Sequence, residues 1–578
     1  MASKDSFSYF QNLKDMSYVR ATAETLVNNK KVRLVTVCEA YELAKKQAGV
    51  SETDLLIYPE FAKQIGLPVG AKVLNDCHGK IVARTAKARK FYNKFTDTEK
   101  EKVDGDVREA LFEMEKYPLI KAEAILGMDP ALMIKATLVS TESDAFNVFS
   151  WLCNFTPYDL IKEEYHKSAE VPILDIIVIA FNEWTSKDPF YDCNGTPMLA
   201  LVNEKQNVLI NLGMRYFGER KKGTLTFGWT SGIKLGYAAC HGGIKEVDFS
   251  TCVEPNYQKL GKRSIVFFGL SGTGKSSHTN SHTNGGTLPQ GFRKVILHDD
   301  AFQIDVQNKI CLGWEPTLFD KTDGREYGNN DWQYMISLMN HLVLNTQGKL
   351  MPIGEDVRES NGRALISREL LGKTVNRCSF PKALVWLMKD SVLPPIIKFK
   401  NNYLAVAMGA ALMTERNKAE NIPKEELGKL IFEPFANPFR VYELHKDVEA
   451  FLKVADTDAV FYSFNSKGYW RSSDTDLEKI SLQTSLTLQT AVLTDALEWE
   501  DWDLLHGAMI PTKASVDKII PDYSSKYDPQ KRINLSEYRM TLHDRLHQRI
   551  NFLKSTDISV KLDLLNKLVD ALFGNSPE

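Results

Sequence analysis

An α/β fold built around a phosphate-binding loop is predicted by three features of the 578-residue chain. The apolar run Ile265-Val266-Phe267-Phe268 has the length and composition of a buried strand. It turns directly into Gly269-Leu270-Ser271-Gly272-Thr273-Gly274-Lys275-Ser276, followed by Ser277, which fits the P-loop pattern G-x-x-x-x-G-K-[ST]. A second apolar run, Val295-Ile296-Leu297, ends in His298-Asp299-Asp300, an acidic pair at a strand end.

Each feature has a chemical reason. Glycines leave backbone N–H groups free to converge on a phosphate chain, and the helix that should follow points its positive end at the same anions. Lys275 would reach the β- and γ-phosphates, and the Ser276 hydroxyl would hold Mg²⁺. P-loop enzymes place a carboxylate on or near that Mg²⁺ at the end of a second strand, the position of Asp299 and Asp300. A Gly-rich turn can match the pattern by chance. The strand ahead of it favours binding of a nucleoside triphosphate.

Composition limits the alternatives. The 43% hydrophobic and 25% charged content belongs to a globular chain long enough for two or more domains. With 72 Lys+Arg against 74 Asp+Glu the net charge is -2, so overall basicity recommends neither nucleic acid nor an anionic membrane as partner. Eight scattered cysteines show no C-x-x-C pair and no zinc-like spacing, which suits a reducing compartment. The start, MASKDSFSYFQNLKD, lacks the apolar region of a signal peptide, and the apolar run ending at Phe181 is far short of a membrane span. A cytoplasmic protein is expected.

Along the chain, residues 1 to about 60 carry no chemistry that can be named. The basic cluster Arg84 to Lys90 is either a solvated face or supplies one guanidinium fork for a carboxylate or phosphate, with Arg84 the candidate. Pro172 to Phe181 reads as a buried strand, and residues 200–214 as a strand followed by a turn or helix. Tyr216-Phe-Gly-Glu-Arg-Lys221-Lys222-Gly223 sets two lysines ahead of the β-prone TLTFGW; they are surface residues, or one acts in a metal-containing cleft as the neutral amine. His241 lies on a glycine-rich turn. His278 and His282 stand four apart in a polar stretch that reads as a solvated loop. Residues 430–520 read as strands and turns, and 536–573 as amphipathic C-terminal helices.

Taken in order, these pieces resemble the ATP-dependent phosphoenolpyruvate carboxykinases over about residues 75–530. The shared tokens are Y-x-G-E-x-K-K-G (Tyr216–Gly223), His241, F-F-G-L-S-G-T-G-K (Phe267–Lys275), Asp299-Asp300, Glu315 and Lys321, Arg363, D-x-V-L-P-P (Asp390–Pro395) and Ile510-Pro511-Thr512. The resemblance implies a two-domain α/β fold, with residues 1–240 on the substrate side and a P-loop nucleotide domain over 241–578. It implies reversible conversion of oxaloacetate and ATP to phosphoenolpyruvate, CO₂ and ADP, in gluconeogenesis or in anaplerotic carboxylation, by a monomer or small homo-oligomer. Lys222, His241 and Asp300 correspond to the ligands of a catalytic Mn²⁺. Arg84 and Tyr216 correspond to groups that hold the substrate acid, and Arg363 to the arginine bridging the transferred phosphoryl group. Lys275, Ser276 and Asp299 take nucleotide and Mg²⁺ roles, and Glu315, Lys321, Lys479, Ile480 and Ser485 border the nucleotide.

This chain also departs from the family pattern. It has Ala83-Arg84-Thr85-Ala86 for G-R-S-P, Glu315-Pro316-Thr317 for E-G-G, and Glu478-Lys479 where the family commonly has K-R beside the adenine; Ser485 replaces a threonine. The segments 242–263 and 278–292 are longer than the pattern expects. A phosphotransferase of the same fold with another donor or acceptor, or a nucleotide-binding regulator without turnover, stands as the alternative.

Overall fold

The run read as a strand near residue 180 is one: Ile176–Phe181 is buried along its whole length. Continuous apolar sequence of this kind belongs to a strand covered on both faces, and its two neighbours, Leu132–Thr141 and Val208–Leu212, pair with it in parallel. The computed structural model describes residues 17–77, 88–193, 195–270, 272–280, 289–322, 330–356, 361–372, 374–415 and 428–573. It is a mixed α/β structure. Two compact units are formed, Met1–Ser231 with Trp314–Gly372, and Gly232–Gly313 with Lys373–Glu578.

In the first unit an eight-stranded sheet, counted among the described residues, runs through these central strands. One face carries Ile177, Ile179 and Ile210 against Val103, Val107 and Leu111 of the Asp97–Met114 helix and Ala23 and Leu26 of the Tyr18–Val27 helix. The opposite face, set by the alternation of the strand, presents Leu209 to the Phe217–Lys234 helix. A Cβ on Gly223 would stand 2.2 Å from Leu209 Cδ2, so glycine here permits close approach of helix and sheet.

That helix corrects the reading of TLTFGW as β-prone. Burial of the segment overrides its propensity, and Thr224, Thr226 and Thr230 each turn the hydroxyl back to the carbonyl four residues earlier, at 2.8–2.9 Å. In residues 200–214 the strand Leu199–Asn203 is followed by a turn, as one of the two readings had it, and then by a second, antiparallel strand, Val208–Leu212. The turn contains Asn207, at φ 52°. Asparagine tolerates that left-handed conformation.

A second sheet of the first unit joins Val50–Leu56, Lys72–Asp76, Met335–Met339, Arg363–Ser367 and Thr317–Lys321. Its parallel pairing of Ser337 with Leu74 is what draws residues 314–372 into this unit, far from them in sequence.

The second unit is centred on an eleven-stranded sheet among the described residues, with Lys262–Phe268, Pro381–Met388 and Val460–Asn465 parallel in the middle. Trp386 packs there against Phe268, Phe435, Phe451 and Phe461. Residues 430–520, read as strands and turns, include the helices Leu444–Ala455, Leu482–Leu493 and Lys513–Ile519. Leu482–Leu493 is buried from Ser485 onward, so it lacks the two-faced pattern that marks a surface helix. The C-terminal helices are present as Leu535–Lys554 and Leu562–Phe573. The first is anchored by Arg549 to Asp390 at 2.8 Å, both wholly buried, and by Tyr538 Oη to the Val392 carbonyl at 2.9 Å, which fixes the Asp390–Pro395 turn. No helix among the described residues is long and apolar enough to cross a membrane.

Candidate functional site

In the second unit the strand Lys262–Phe268 leads through Gly269–Gly274 into the helix Lys275–Asn280. Gly272 and Gly274 take φ of 82° and 90°, left-handed values open to glycine without strain. Thr273 is turned inward, its hydroxyl donating to the Leu270 carbonyl at 2.7 Å. Ser276 is half-buried and Ser277 exposed on the first turn of the helix. Ser271 lies outside the described residues.

Beside this loop the strand Ala238–Asp248 carries His241, which pairs with Ala301 of the next antiparallel strand. The register brings the Asp300 carbonyl to the Gly242 N–H at 3.0 Å and the Asp300 carboxylate to 3.2 Å from His241 Nε2. Lys275 Nζ stands 3.6 Å from the same carboxylate oxygen. Three predicted residues thus meet, Lys275 from the first position of the helix, His241 from a strand and Asp300 from the bend between the next two strands.

The imidazole is oriented from behind. His241 Nδ1 lies 2.5 Å from the Ala436 carbonyl, and a carbonyl can only accept, so Nδ1 holds the proton. In the neutral ring Nε2 then presents its lone pair toward an anionic carboxylate. With Nδ1 protonated, Nε2 is the nitrogen that faces the Asp300 carboxylate, and imidazole with carboxylate is an ordinary donor set for Mn²⁺. The residues therefore fit a divalent metal. Among the described residues no group of three His, Cys, Asp or Glu side chains could hold a metal ion.

Asp299 is buried next to this group and accepts from Asn280 Nδ2 at 3.5 Å. His298, fully buried, accepts the backbone N–H groups of Asp300 and Ala301 at 3.1 Å through Nδ1, which shapes the strand end that carries both aspartates. Lys479 is exposed, with its carbonyl held by Tyr527 Oη at 2.7 Å. Ile480 packs on the core of this unit, and Ser485 is buried in the first turns of the Leu482–Leu493 helix.

His278 differs from its reading as part of a solvated loop. It is 2% exposed on the Lys275–Asn280 helix, its ring stacked 5.0 Å from Phe267 and hydrogen-bonded to Gln489 at 2.8 Å. Burial depresses its pKa to about 4, so the ring is neutral. Its partner in the proposed spacing, His282, lies outside the described residues, as does most of 278–292.

In the first unit, Tyr216 is buried ahead of the Phe217–Lys234 helix and Lys222 is half-buried on it, its Nζ 5.7 Å from the centroid of Trp229. Three cations at this helix start lie against carboxylates. Arg215 reaches Asp76 at 3.1 Å, Arg220 binds Asp144, and Lys221 lies 3.2 Å from Glu315, both fully buried. Burial raises the Asp76 carboxyl to about 6 despite Arg215. Sequence reasoning missed these pairs because the three carboxylates come from residues 76, 144 and 315, with no local signal linking them to the helix.

Glu315 also accepts from Asn154 Nδ2 at 2.6 Å. Lys321 and Arg363 face each other across the antiparallel pair Thr317–Lys321 and Arg363–Ser367. Phe319 joins these groups, with Lys221 Nζ 5.9 Å and the Arg363 guanidinium 5.8 Å from its ring centroid. Arg84 lies outside the described residues. Arg89 of the same basic cluster makes a two-pronged contact with Glu219 at 2.7–2.9 Å, which accounts for the glutamate of Y-x-G-E.

The second unit of this mixed α/β chain thus sets His241, Asp300 and Lys275 beside a glycine loop. A sequence profile of the phosphoenolpyruvate carboxykinases matches residues 81–505, more than half of the chain, and the chain belongs to this family. It is 23% identical over 281 residues to phosphoenolpyruvate carboxykinase (ATP) of Methylobacterium radiotolerans, across 47% of this chain and 46% of that protein. The chain thus matches under half the length of that relative.

Proposed function

We propose that this chain is an ATP-dependent phosphoenolpyruvate carboxykinase, converting oxaloacetate and ATP reversibly to phosphoenolpyruvate, CO₂ and ADP. The observation that carries this reading is the meeting of His241, Asp300 and Lys275 beside the Gly269–Ser276 loop, in a chain of this family. Residues 1–240 are assigned to the substrate side and 241–578 to the nucleotide side, with the loop acting as a P-loop. The free thiol state of its cysteines and the lack of a spanning helix among the described residues support a cytoplasmic setting.

In the proposed mechanism Arg84 and Tyr216 hold the substrate acid through its carboxylate. Loss of CO₂ leaves the enolate of pyruvate, whose oxygen then attacks the γ-phosphorus in line with the departing ADP. Lys275 and the loop N–H groups neutralise charge on the phosphoryl oxygens, and Arg363 bridges that group to the acid. Glu315, Lys321, Lys479, Ile480 and Ser485 border the nucleotide. His241, Asp300 and Lys222 would hold Mn²⁺, and Ser276 with Asp299 would support Mg²⁺; these ions supply Lewis acidity toward the enolate and phosphate charge.

The test is formation of oxaloacetate from phosphoenolpyruvate, bicarbonate and ADP, coupled to malate dehydrogenase, with Mn²⁺ and Mg²⁺ present. GDP and phosphate replace ADP in parallel. Turnover that needs both ADP and Mn²⁺ is expected. No turnover with any acceptor, in protein that binds ATP, would overturn the reading in favour of another phosphotransferase or a regulator.

A further inference from the structure

Two lysines reach main-chain carbonyls of the Lys275–Asn280 helix from the sheet beneath. Lys245 Nζ donates to the His278 carbonyl at 2.6 Å and Lys294 Nζ to the Asn280 carbonyl at 3.1 Å. The two lysines sit on adjacent antiparallel strands, where Lys245 pairs with Ile296 and Val247 with Lys294, so both project from one face.

Gly243, two residues before Lys245, lies on that face as well. A Cβ there would stand 2.0 Å from Thr279 Oγ1, so the helix rests directly on the strand. Lys245 is 1% exposed, a costly position for an ammonium, and burial depresses its pKa far below the ordinary value. Its hydrogen bond to the His278 carbonyl offsets part of that cost. On its other side the helix is tied through His278 Nδ1 to Gln489 of the Leu482–Leu493 helix, one turn beyond Ser485.

We infer that Lys245 and Lys294 are positioning residues for the phosphate-binding end of the site. They hold the Lys275–Asn280 helix by the carbonyls of His278 and Asn280 and so fix Lys275 and Ser276, while His278–Gln489 couples this helix to the segment assigned to the adenine. The inference rests on the nucleotide role proposed above, and neither lysine touches a reacting atom. Lys245 acts from behind the loop.

The experiment compares full-length wild type with Lys245→Met and Lys294→Met, which keep the length of the side chain and remove the donor. Equilibrium binding of ATP, KM for each substrate, kcat, the urea midpoint and amide exchange over residues 273–280 are measured. The expected result for Lys245→Met is about tenfold weaker ATP binding and a lower kcat, with KM for oxaloacetate within about twofold of wild type. Amide exchange at 273–280 should accelerate by about tenfold, while the urea midpoint holds or rises because a buried charge has been removed.

Unchanged ATP affinity and exchange in a folded variant would overturn the inference. So would equal loss of affinity for both substrates with a fallen urea midpoint, the mark of a general structural role. If wild type fails to bind ATP, the carboxykinase reading falls. The exchange measurement still decides whether the lysines hold the helix.

Discussion

Of the adjacent lysines at 221 and 222, the structure gives the first a partner of a kind that makes its removal costly. Lys221 and Glu315 are both fully buried at 3.2 Å. At an effective dielectric of about 20, unit charges at that distance attract by about 5 kcal/mol. Deleting one member leaves the other charged and buried, which typically costs about 3–5 kcal/mol. Lys221→Met is therefore expected to lower unfolding free energy by about that amount. Lys222→Met should abolish Mn²⁺-dependent turnover. Glu315→Gln in the Lys221→Met background removes the stranded charge yet leaves an acceptor for Asn154, so it should recover most of the loss. Urea unfolding of the four proteins, with turnover measured alongside, reads all of this. A Lys221→Met protein within about 1 kcal/mol of wild type, or a double variant no more stable than the single one, would refute the assignment of Lys221 to a buried ion pair.

Three further outcomes are expected. Lys275→Ala should reduce phosphoryl transfer by at least about 100-fold, and His241→Ala should abolish Mn²⁺-dependent decarboxylation; near-normal steady-state turnover in either would remove that residue from its role. Asp447, wholly buried, accepts from Tyr442 Oη at 2.8 Å through Oδ1, while Oδ2 accepts no hydrogen bond among the described residues and lies 3.9 Å from Arg440. Burial raises its carboxyl from 3.8 to about 7. Between those values the folded chain keeps a proton that the unfolded chain has lost, so this group makes stability fall as pH rises through the window. Above about pH 7 the penalty is complete, at most about 4 kcal/mol. Asp447→Asn should therefore stabilise the protein at pH 8 and have little effect at pH 4. Equal effects at both, in unfolding measurements across that range, would show that the carboxyl is not held neutral.

What was legible in the sequence was what local pattern encodes. The strand at 262–268, its glycine loop and the acidic strand end at 298–300 are contiguous signals, because strand, turn and strand terminus are each set by a few neighbouring residues. The C-terminal helices were legible too, since solvent on one side keeps their amphipathic period visible. The Phe217–Lys234 helix and the Leu482–Leu493 helix were not. Both are largely buried, so the polar face that announces a helix is missing, and threonine and glycine lower local helix propensity in the first.

The same limit applied within the site. Lysines 221, 222 and 245 look alike in composition, yet their environments give each a different task. Lys221 faces a carboxylate from residue 315, Lys245 faces a main-chain carbonyl of a helix, and Lys222 is proposed to meet a metal. What separates them is strand register and helix phase. On the Ala238–Asp248 strand, a shift of one residue would turn Lys245 to the other face, away from the His278 carbonyl, and would break the pairing that sets His241 beside Asp300. The register of that one strand therefore fixes both the proposed metal pair and the support of the phosphate loop. Glycine at 243 is the residue in the sequence that reports it, because only there does the overlying helix come too close for a side chain.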